Sequence, residues 1–322
     1  MLPGRNRPKV VSLFSGCGGS DAGLIAAGFD IVFANDIVPY ARDLYERNLP
    51  DTDFQCKNIE KIRSFPHADL LVGCYPCQGF SQGGARKSDR KINYLYREFD
   101  RVLHQIRPKA FIVENVPGMR RSDFAHLLRN QIIRFRLAGY RVVTDLLNAV
   151  DFGAPQERRR IFIVGIRSDL GPCYEFPKPT HGQDGKAPLG TISDALAGLP
   201  DWPKGEFFDD EFHWYYMSRN RRRDWSQPSK TILSHPRHMP LHPISPPLIR
   251  IHTDKWVWSY DGPRRRFSYR EAARLQGFSE AFEFPEFEFP ETGSMKDKYK
   301  AIGNAVPPPL FKAVADALPD IW

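Results

Sequence analysis

Two cysteines follow a short apolar run in the stretch DLLVGCYPCQGFSQGG, residues 69–84. Cys74 extends the run 70–72, whereas Cys77 comes after Pro76, which ends an extended segment. Such a pair could serve in packing, as a redox couple, as half of a zinc site or as a nucleophile. No second C-x-x-C offers the remaining zinc ligands, and a redox couple usually stands at a helix N-terminus. Packing suits Cys74, and a nucleophile at the end of a strand suits Cys77.

A carboxyl group and an amide follow another apolar run, in FIVENVPGM at residues 111–119. If this strand is a neighbour of the strand before Cys77, the Cys77 thiol and the Glu114 carboxyl converge on one pocket. An acid beside a nucleophile is the pairing that addition to an electron-poor ring requires. A helix cap or a salt bridge is the alternative role for Glu114.

A glycine-rich turn lies between a predicted strand and a predicted helix, in SLFSGCGG at residues 12–19. Glycines let the backbone approach a ligand, and a helix N-terminus favours an anion. The spacing G-x-G-G differs from the dinucleotide motif, and a cofactor with a carboxylate, such as S-adenosylmethionine (AdoMet), fits. Asp36 ends the second strand, where a carboxylate can bind ribose hydroxyls. A tight turn and a solvated Asp36 would explain the same residues.

Three polar residues alternate at the start of a further predicted strand, in APQERRRIF at residues 154–162. Alternation places Gln156, Arg158 and Arg160 on one face of that strand. We expect an anionic partner for this face, or else an exposed edge strand.

Short apolar runs alternate with amphipathic stretches through the first half of the chain. We predict strands at 10–14, 30–34, 70–73, 110–113, 141–147 and 161–166, and helices at 20–27, 39–48, 95–106 and 124–138. This alternation is typical of an α/β fold with a doubly wound, mostly parallel sheet. Ligands of such sheets bind beyond the carboxyl ends of the strands, where Cys77 and Glu114 fall.

The character of the chain changes near residue 172, where prolines become frequent. A region rich in Trp, Arg, His and Pro follows at 201–260, without a clear period. We therefore predict a catalytic domain over 1–200, completed by the C-terminal segment 292–322. A smaller, irregular domain is predicted over 201–291.

The composition of the 322 residues limits the class of partner and compartment. The formal net charge is +8 and the pI is near 9.2, which favours a polyanionic partner. The five cysteines are scattered and odd in number, so a reducing compartment is expected. No apolar stretch approaches the ~20 residues that span a membrane. We expect a cytoplasmic, nucleoid-associated protein.

Together these stretches resemble the DNA cytosine-5 methyltransferases of bacterial restriction-modification systems. The pieces SLFSGCGG, GCYPCQGFS, ENV, Q-x-R-x-R, RRFSYREAARLQGF and GNAVPPP run in the family's order from residue 11 to the end. The resemblance covers everything except roughly 201–260, the variable region expected to choose the target sequence. It implies a Rossmann-like AdoMet-dependent methyltransferase sheet with a smaller target-recognition domain.

The resemblance also implies roles for particular residues. Cys77 would add to C6 of a flipped-out cytosine, Glu114 would act as an acid at N3 and the amino group, and Arg160, supported by Arg158, would contact the base. The cofactor contacts carried over are Phe14, Gly16, Gly18, Asp36, Ile37, Asn58, Pro76, Leu95 and Asn304. The candidate DNA contacts are Gln78, Ser81, Arg86, Lys87, Arg219, Arg221, Arg222, Arg223, Gln227, Arg237 and His238. AdoMet would be converted to S-adenosylhomocysteine (AdoHcy), and no metal is expected.

The expected partner is duplex DNA, and no membrane is expected. We expect the enzyme to be a monomer, with a possible cognate restriction endonuclease that acts on the same sequence. Some positions depart from the family's commonest pattern: Ser12 and Asn58 each replace a frequent Asp, Tyr75 a frequent Pro and Ser268 a frequent Thr. None removes a catalytic group. A tRNA cytosine-5 methyltransferase and a catalytically silent DNA-binding homologue are the alternatives. The Cys-Phe-Thr tripeptide of the tRNA-modifying branch does not occur in this sequence.

Overall fold

A computed structural model describes residues 7–76 and 94–322 of the chain. The strands are β1 Lys9–Leu13, β2 Asp30–Asp36, β3 Phe54–Cys56, β4 Leu70–Gly73, β5 Ala110–Asn115, β6 Tyr140–Asn148, β7 Gln156–Glu157, β8 Arg159–Arg167, β9 Ser229–Lys230, β10 Leu248–His252 and β11 Lys255–Trp258. The helices are α1 Gly19–Ala26, α2 Pro39–Asn48, α3 Tyr96–Ile106, α4 Ala125–Leu137, α5 Ile192–Leu196, α6 Tyr269–Leu275, α7 Met295–Asn304 and α8 Pro308–Asp316. Across these two ranges, no helix is long and apolar enough to cross a membrane.

The principal sheet of the described residues has seven strands in the order β3-β2-β1-β4-β5-β8-β6. Strands β1 to β5 pair in parallel, and β8 pairs antiparallel with both β5 and β6. The chain winds outward in opposite directions from β1 and β4, which makes their carboxyl ends the switch point where such sheets bind ligands. The predicted doubly wound, mostly parallel sheet is confirmed.

Aromatic side chains fill the core between this sheet and two of its helices. The rings of Phe99 on α3, Phe111 on β5 and Phe135 on α4 pack mutually, with centroids 5.8, 4.8 and 5.5 Å apart. All three are fully buried, and burial of one such side chain stabilises the fold by roughly 1.5–3 kcal/mol. This packing fixes α3 and α4 on the strands whose ends carry the candidate site.

Strands β3 and β8 of the principal sheet are among those that differ from the prediction. Strand β3 was not predicted, because an edge strand of three residues is too short to show an alternating pattern. Strand β8 begins at Arg159, two residues before the predicted start, because it pairs on both sides with β5 and β6. The longer β8 pairs Arg160 and Arg159 with Leu147 and Asn148 of β6, just beyond the end of its pairing with β5.

The described residues divide into two compact units. Unit 1 comprises the described residues of 7–76, 94–148, 159–178 and 311–322, and unit 2 comprises 149–158 and 179–310. The long segment of unit 2 therefore begins after residue 178 and ends at residue 310. The smaller domain predicted from the sequence begins after residue 200 and ends at residue 291. The earlier start of this segment is explained by Ile192 and Ser193, whose N–H groups donate to the carbonyls of Gln227 and Trp225 at 2.9 and 3.0 Å.

The C-terminal segment packs within unit 1. The ring of Phe311 lies 5.9 Å from that of Phe162 on β8, and the Tyr174 hydroxyl donates to the Val314 carbonyl at 2.8 Å. The indole of Trp322 packs edge-on against Phe29. These contacts give the last helix and the residues after it a place in the core of the first unit.

Unit 2 has few regular elements and a buried ionic centre. The Arg265 guanidinium donates to both Glu271 carboxylate oxygens at 2.7 Å, and both side chains are buried. Glu271 also accepts from the N–H of Ser268, while Ser268 Oγ accepts from the N–H of Glu271, so this pair forms the capping box that starts α6. A charged pair held by additional hydrogen bonds can occupy a core that contains little sheet.

Candidate active site and cofactor cradle

A carboxylate and a guanidinium meet at the carboxyl end of β5. Because β8 runs antiparallel to β5, its start lies beside the end of β5, and Glu114 is paired with Phe162 in the register. Arg160, two residues before Phe162, is therefore a diagonal neighbour on the same face. Its Nε lies 2.8 Å from Glu114 Oε1, and Glu114 is buried. The structure thus brings Glu114 and Arg160 together at the end of β5.

The chain leading to Cys77 is anchored beside this pair. Asn115 Nδ2 donates to the Tyr75 carbonyl at 3.3 Å, and the Tyr75 hydroxyl donates to Gln131 Oε1 at 2.5 Å. The Tyr75 ring also packs edge-on against Phe14. The structure therefore fixes the residue two places before Cys77 next to the strand that carries Glu114.

Several predicted residues lie outside the described part of the chain. They are Cys77, Gln78, Ser81, Arg86 and Lys87, all within 77–93. Their roles stay predictions.

Cys74 is an inert thiol. Burial raises its pKa well above the usual value, and the charges of Glu114 and Asp21 raise the pKa further. The thiol therefore stays protonated at neutral pH, when only the thiolate is strongly nucleophilic. This agrees with packing as the role of Cys74.

The glycine-rich turn after β1 has a backbone that few residues could adopt. Phe14, Gly16 and Gly18 have positive φ angles of 58°, 55° and 88°. A Cβ on Gly18 would lie 2.7 Å from the Leu49 side chain, so close packing as well as φ requires glycine there. Asp36 braces the turn: its Oδ2 accepts from the Gly16 N–H at 3.0 Å.

Features of this turn suit a cofactor that carries a carboxylate, a ribose and an apolar base. Helix α1 has no side-chain cap at Gly18, which leaves its N-terminus open to a carboxylate ligand. Asp36 Oδ1 accepts from the Val38 N–H at 3.0 Å, so the carboxylate is held rigidly at the end of β2. Next to it, Ile37 is 61% exposed, which is unusual for an apolar side chain at the rim of a sheet.

The remaining cofactor candidates have local structural roles. Asn58 caps the turn at 59–61, where its Oδ1 accepts from the Glu60 N–H at 3.0 Å. Leu95 is the N-cap residue of α3, and Pro76 is partly buried. Asn304 is the exposed last residue of α7, in unit 2. Contacts of these residues with a cofactor stay predictions.

The prediction that Gln156, Arg158 and Arg160 share one strand face is wrong. Gln156 lies in β7 and Arg160 in β8, and the chain passes from unit 2 to unit 1 between 158 and 159. The exposed edge strand offered as the alternative is wrong as well, because Gln156 and Arg158 are both buried.

Backbone carbonyls contact the Arg158 guanidinium. Its Nη atoms donate to the carbonyls of Ile232, Gly303 and Ala305 at 2.8–2.9 Å. Gly303 is required there, since a Cβ would lie 2.3 Å from the Leu233 backbone. The Q-x-R part of the motif thus ties together segments of unit 2, and any contact of Arg158 with a base stays a prediction.

The run 221–223 in unit 2 does not present three equivalent cations. Arg222 is largely buried and donates to the carbonyls of Ser245 and Pro243 at 2.9 and 2.8 Å. Arg223 pairs with Glu157 at 2.8 Å. Arg221 stacks over the Tyr216 ring, and burial lowers its pKa. Arg222 thus holds two chain segments together, and a contact of this run with DNA stays a prediction.

Other candidate recognition residues are more accessible. Arg219 is exposed, and Arg237 is exposed and pairs with Asp210 at 3.0 Å. His238 packs near Tyr215 and His235, and burial together with the charge of Arg221 lowers its pKa. Gln227 accepts from the Asp224 N–H at 3.0 Å.

The pair His238 and His242 has H-x-x-x-H spacing, which metal sites use. His242 is buried, and its Nδ1 accepts from the Ile244 N–H at 3.1 Å, so it is occupied within the core. The described ranges contain no group of three ligands that could hold a metal ion.

Three features of the site were missed by the sequence analysis. Asp21 lies buried beneath the glycine-rich turn, although no motif singles it out. Asn115 anchors the Tyr75 backbone, a contact that the ENV sequence alone does not reveal. Ile249 and Ile251 are exposed on the hairpin of β10 and β11, and their alternation in LIRIH was the available signal.

Comparison with known proteins identifies the family. The profile of C-5 cytosine-specific DNA methylases matches residues 8–320. The type II methyltransferase M.BspRI of Lysinibacillus sphaericus is 38% identical over 96% of this chain and 81% of its own length. M.BsuRI of Bacillus subtilis is also 38% identical, over 96% of this chain and 79% of its own. The chain belongs to the C-5 cytosine-specific DNA methylases, and it is a DNA (cytosine-5-)-methyltransferase.

Solved structures share the fold at lower sequence identity. The Dnmt2 methyltransferase of S. pombe has a TM-score of 0.65 at 20% identity, with 96% of each chain covered. The Entamoeba histolytica methyltransferase EhMeth has a TM-score of 0.66 at 16% identity, covering 96% of this chain and 97% of its own. These likenesses concern the fold alone.

Proposed function

We propose that this enzyme transfers the methyl group of AdoMet to C5 of a cytosine flipped out of a specific duplex DNA sequence, through a covalent bond between Cys77 and C6. The observation that carries the proposal is the buried contact of Glu114 with Arg160, 2.8 Å apart, beside the anchored Tyr75 that leads to Cys77. A polar pair of this kind at the carboxyl ends of parallel strands suits recognition of a base edge.

The chemistry assigns a separate task to each group. Addition of the Cys77 thiolate to C6 breaks the conjugation of the ring, so that C5 gains enamine character. Glu114, as an acid, stabilises the negative charge that develops at N3 and hydrogen-bonds the amino group. Arg160 contacts the base and supplies positive charge beside Glu114. Loss of the C5 proton and elimination of Cys77 then release 5-methylcytosine.

The residues at the carboxyl ends of β1 and β2 fit AdoMet, which supplies an electrophilic methyl group on a sulfonium. The open N-terminus of α1 would hold its carboxylate, and Asp36 would accept the ribose hydroxyls. The exposed Ile37 side chain would cover the adenine ring. Phe14, Gly16 and Gly18 shape the backbone against which the ligand would lie.

Unit 2 would recognise the DNA. Flipping the target base costs roughly a few kcal/mol, which contacts to the surrounding duplex must offset. Arg86 and Lys87 would contact phosphates. We also propose a monomer that protects a site cut by a cognate restriction endonuclease, as the type II relatives suggest.

The test is methyl transfer from tritiated AdoMet to duplex DNA and to tRNA, followed by nuclease digestion and mass spectrometry. We expect tritium in DNA as 5-methylcytosine and little in tRNA. Preferential labelling of tRNA would favour the tRNA-modifying branch. Absence of labelling in both, with AdoMet bound, would indicate a silent DNA-binding homologue.

A further inference from the structure

A buried carboxyl group lies directly beneath the glycine-rich turn. Asp21, in the first turn of α1, has 0% of its surface exposed. Three hydroxyl groups donate to it: Ser12 Oγ at 2.7 Å, Ser20 Oγ at 3.0 Å and Tyr45 Oη at 2.7 Å. Donors on β1, α1 and α2 thus converge on one carboxylate, as they do around a charged rather than a neutral group.

The same network supports the turn that would face the cofactor. Ser15 Oγ lies 2.9 Å from Ser12 Oγ and accepts from the Asn35 N–H at 3.3 Å. The Asn35 amide in turn donates to the carbonyls of Gln55 and Lys57 at 2.7 and 2.9 Å. Asp21 is therefore fixed relative to the ends of β1, β2 and β3, and its charge cannot move away from the cofactor cradle.

No ion pair balances this charge within the described residues. Burial raises the pKa of Asp21, and its three hydroxyl donors oppose that rise. Burial raises the pKa of the nearby Cys17 thiol to about 12, and a negative charge on Asp21 adds to that rise and to the raised pKa of Cys74.

AdoMet and AdoHcy differ by one positive charge, which AdoMet carries on its sulfur atom. The sulfonium of AdoMet carries a positive charge that is lost when the methyl group leaves, whereas the carboxylate, ribose and adenine are common to both. We propose that Asp21 is an electrostatic discriminator that favours the cationic AdoMet over the neutral thioether product AdoHcy. This inference rests on the proposed function, since it takes AdoMet as the cofactor.

The discrimination would assist turnover. A residue that binds both ligands equally would retain the product, whereas attraction to the sulfonium is lost with the methyl group. At an effective dielectric constant near 20, an unbalanced charge in the wall of a binding site changes the affinity for a cation on the order of tenfold. The preference should therefore be measurable as a ratio of two dissociation constants.

The experiment is calorimetric titration of AdoMet and AdoHcy into the full chain and into Asp21→Asn. We expect Asp21→Asn to weaken AdoMet about tenfold and AdoHcy less than about threefold. Asp36→Asn is the matched control, because its carboxylate would hold ribose hydroxyls present in both ligands. It should weaken AdoMet and AdoHcy by similar factors.

Circular dichroism would show whether Asp21→Asn folds, and a second variant tests the proposal if it does not. Tyr45→Phe removes one donor and keeps the carboxyl group, so it should favour the protonated form of Asp21. The other titratable groups nearby are the Cys17 and Cys74 thiols, with Asp36 and Glu114 acting on them. Measured at pH 6 and at pH 8, the AdoMet preference of Tyr45→Phe should be lower than that of the wild type, and the difference should be larger at the lower pH.

Equal weakening of both ligands by Asp21→Asn would overturn the proposal and leave Asp21 a structural residue. If that variant does not fold, a wild-type ratio in Tyr45→Phe at both pH values would overturn it. If the wild-type chain binds neither ligand, the proposed cofactor itself is wrong, and that result is distinct from both.

Discussion

At the scale of single residues, the proposed chemistry depends on the contact of Arg160 with Glu114. Arg160 lies at the start of β8, which runs antiparallel to β5, and Glu114 lies near the end of β5. The antiparallel pairing therefore places the guanidinium beside the carboxylate. The pair presents a carboxyl and a guanidinium at one place, and both can address the polar edge of a cytosine. The carboxylate within the Q-x-R-x-R segment, Glu157, pairs with Arg223 instead.

Glu114→Gln should slow methyl transfer about 100- to 1,000-fold, because an amide is a poor proton donor at N3. Duplex affinity should change less than about threefold, since the amide still hydrogen-bonds the base edge. Single-turnover methylation and duplex binding measure the two effects. Glu98→Gln is the control: Glu98 forms a 2.8 Å ion pair with Arg101 on α3, outside the site. Loss of AdoMet affinity alone would instead place Glu114 in the cofactor site.

At the scale of elements, helix α6 depends on a buried neutral histidine. His242 Nε2 lies 3.4 Å from Glu271 Oε1, and Nδ1 accepts from Ile244, so Nε2 carries the proton. Burial, with the charges of Arg265 and Arg222, lowers the His242 pKa to about 3. His242 is therefore neutral in the folded protein and becomes protonated on unfolding below about pH 6.5.

Folding stability should thus fall as the pH decreases from 6.5 towards 3. At pH 5 this one group should cost about 2 kcal/mol relative to neutral pH. His242→Phe should show a flatter decline of the unfolding free energy across this range, whatever its stability at pH 8. His252→Phe, at an exposed position of β10, should retain the wild-type slope. Urea unfolding at pH 5, 6, 7 and 8 measures the free energy of unfolding for the wild type and both variants. The same dependence on pH in all three proteins would contradict the lowered pKa of His242.

The elements that the sequence could predict are those with a local signal. Strands such as β4 and β5 are short apolar runs, and the residues that end them could be assigned to the binding edge from the sequence pattern alone. The direction of β8 has no local signal, so its contact between Arg160 and Glu114 could not be derived. The buried state of Arg158 and Arg222 was equally hidden, because their carbonyl partners lie far away in the chain. Burial of an arginine is a tertiary property, and density of charge in a run does not reveal it.

At the scale of the whole molecule, the chain passes between its two units at four places, after 148, 158, 178 and 310. Neither unit is a single continuous segment, so a single cut cannot separate them, and the variants are best tested in the full chain. The net charge of +8 supports a polyanionic partner, but the arginines of unit 2 have different roles. Some stabilise the unit and others remain accessible.

Arg237→Ala should cost ~1–3 kcal/mol on the cognate duplex and relax discrimination at one base pair, because an accessible arginine can read guanine bidentately. Arg219→Ala, an equally exposed position, should weaken all duplexes and reduce the salt slope by about one unit. Arg222→Ala should instead lower the melting temperature. Duplex affinity against salt, for the cognate site and its single-pair variants, separates these roles. Uniform weakening by Arg237→Ala would assign that residue to the phosphates.

The central claim is that Cys77 forms a bond to C6 of the target cytosine. The measurement is the intact mass of the protein after incubation with AdoMet and a duplex that carries 5-fluorocytosine at the methylated position. Fluorine cannot leave C5 as a proton does, so the adduct should accumulate. We predict a stable protein–DNA adduct for the wild type and for Cys74→Ala, and none for Cys77→Ala with AdoMet and duplex binding intact. An adduct in Cys77→Ala, or its loss only in Cys74→Ala, would contradict the account.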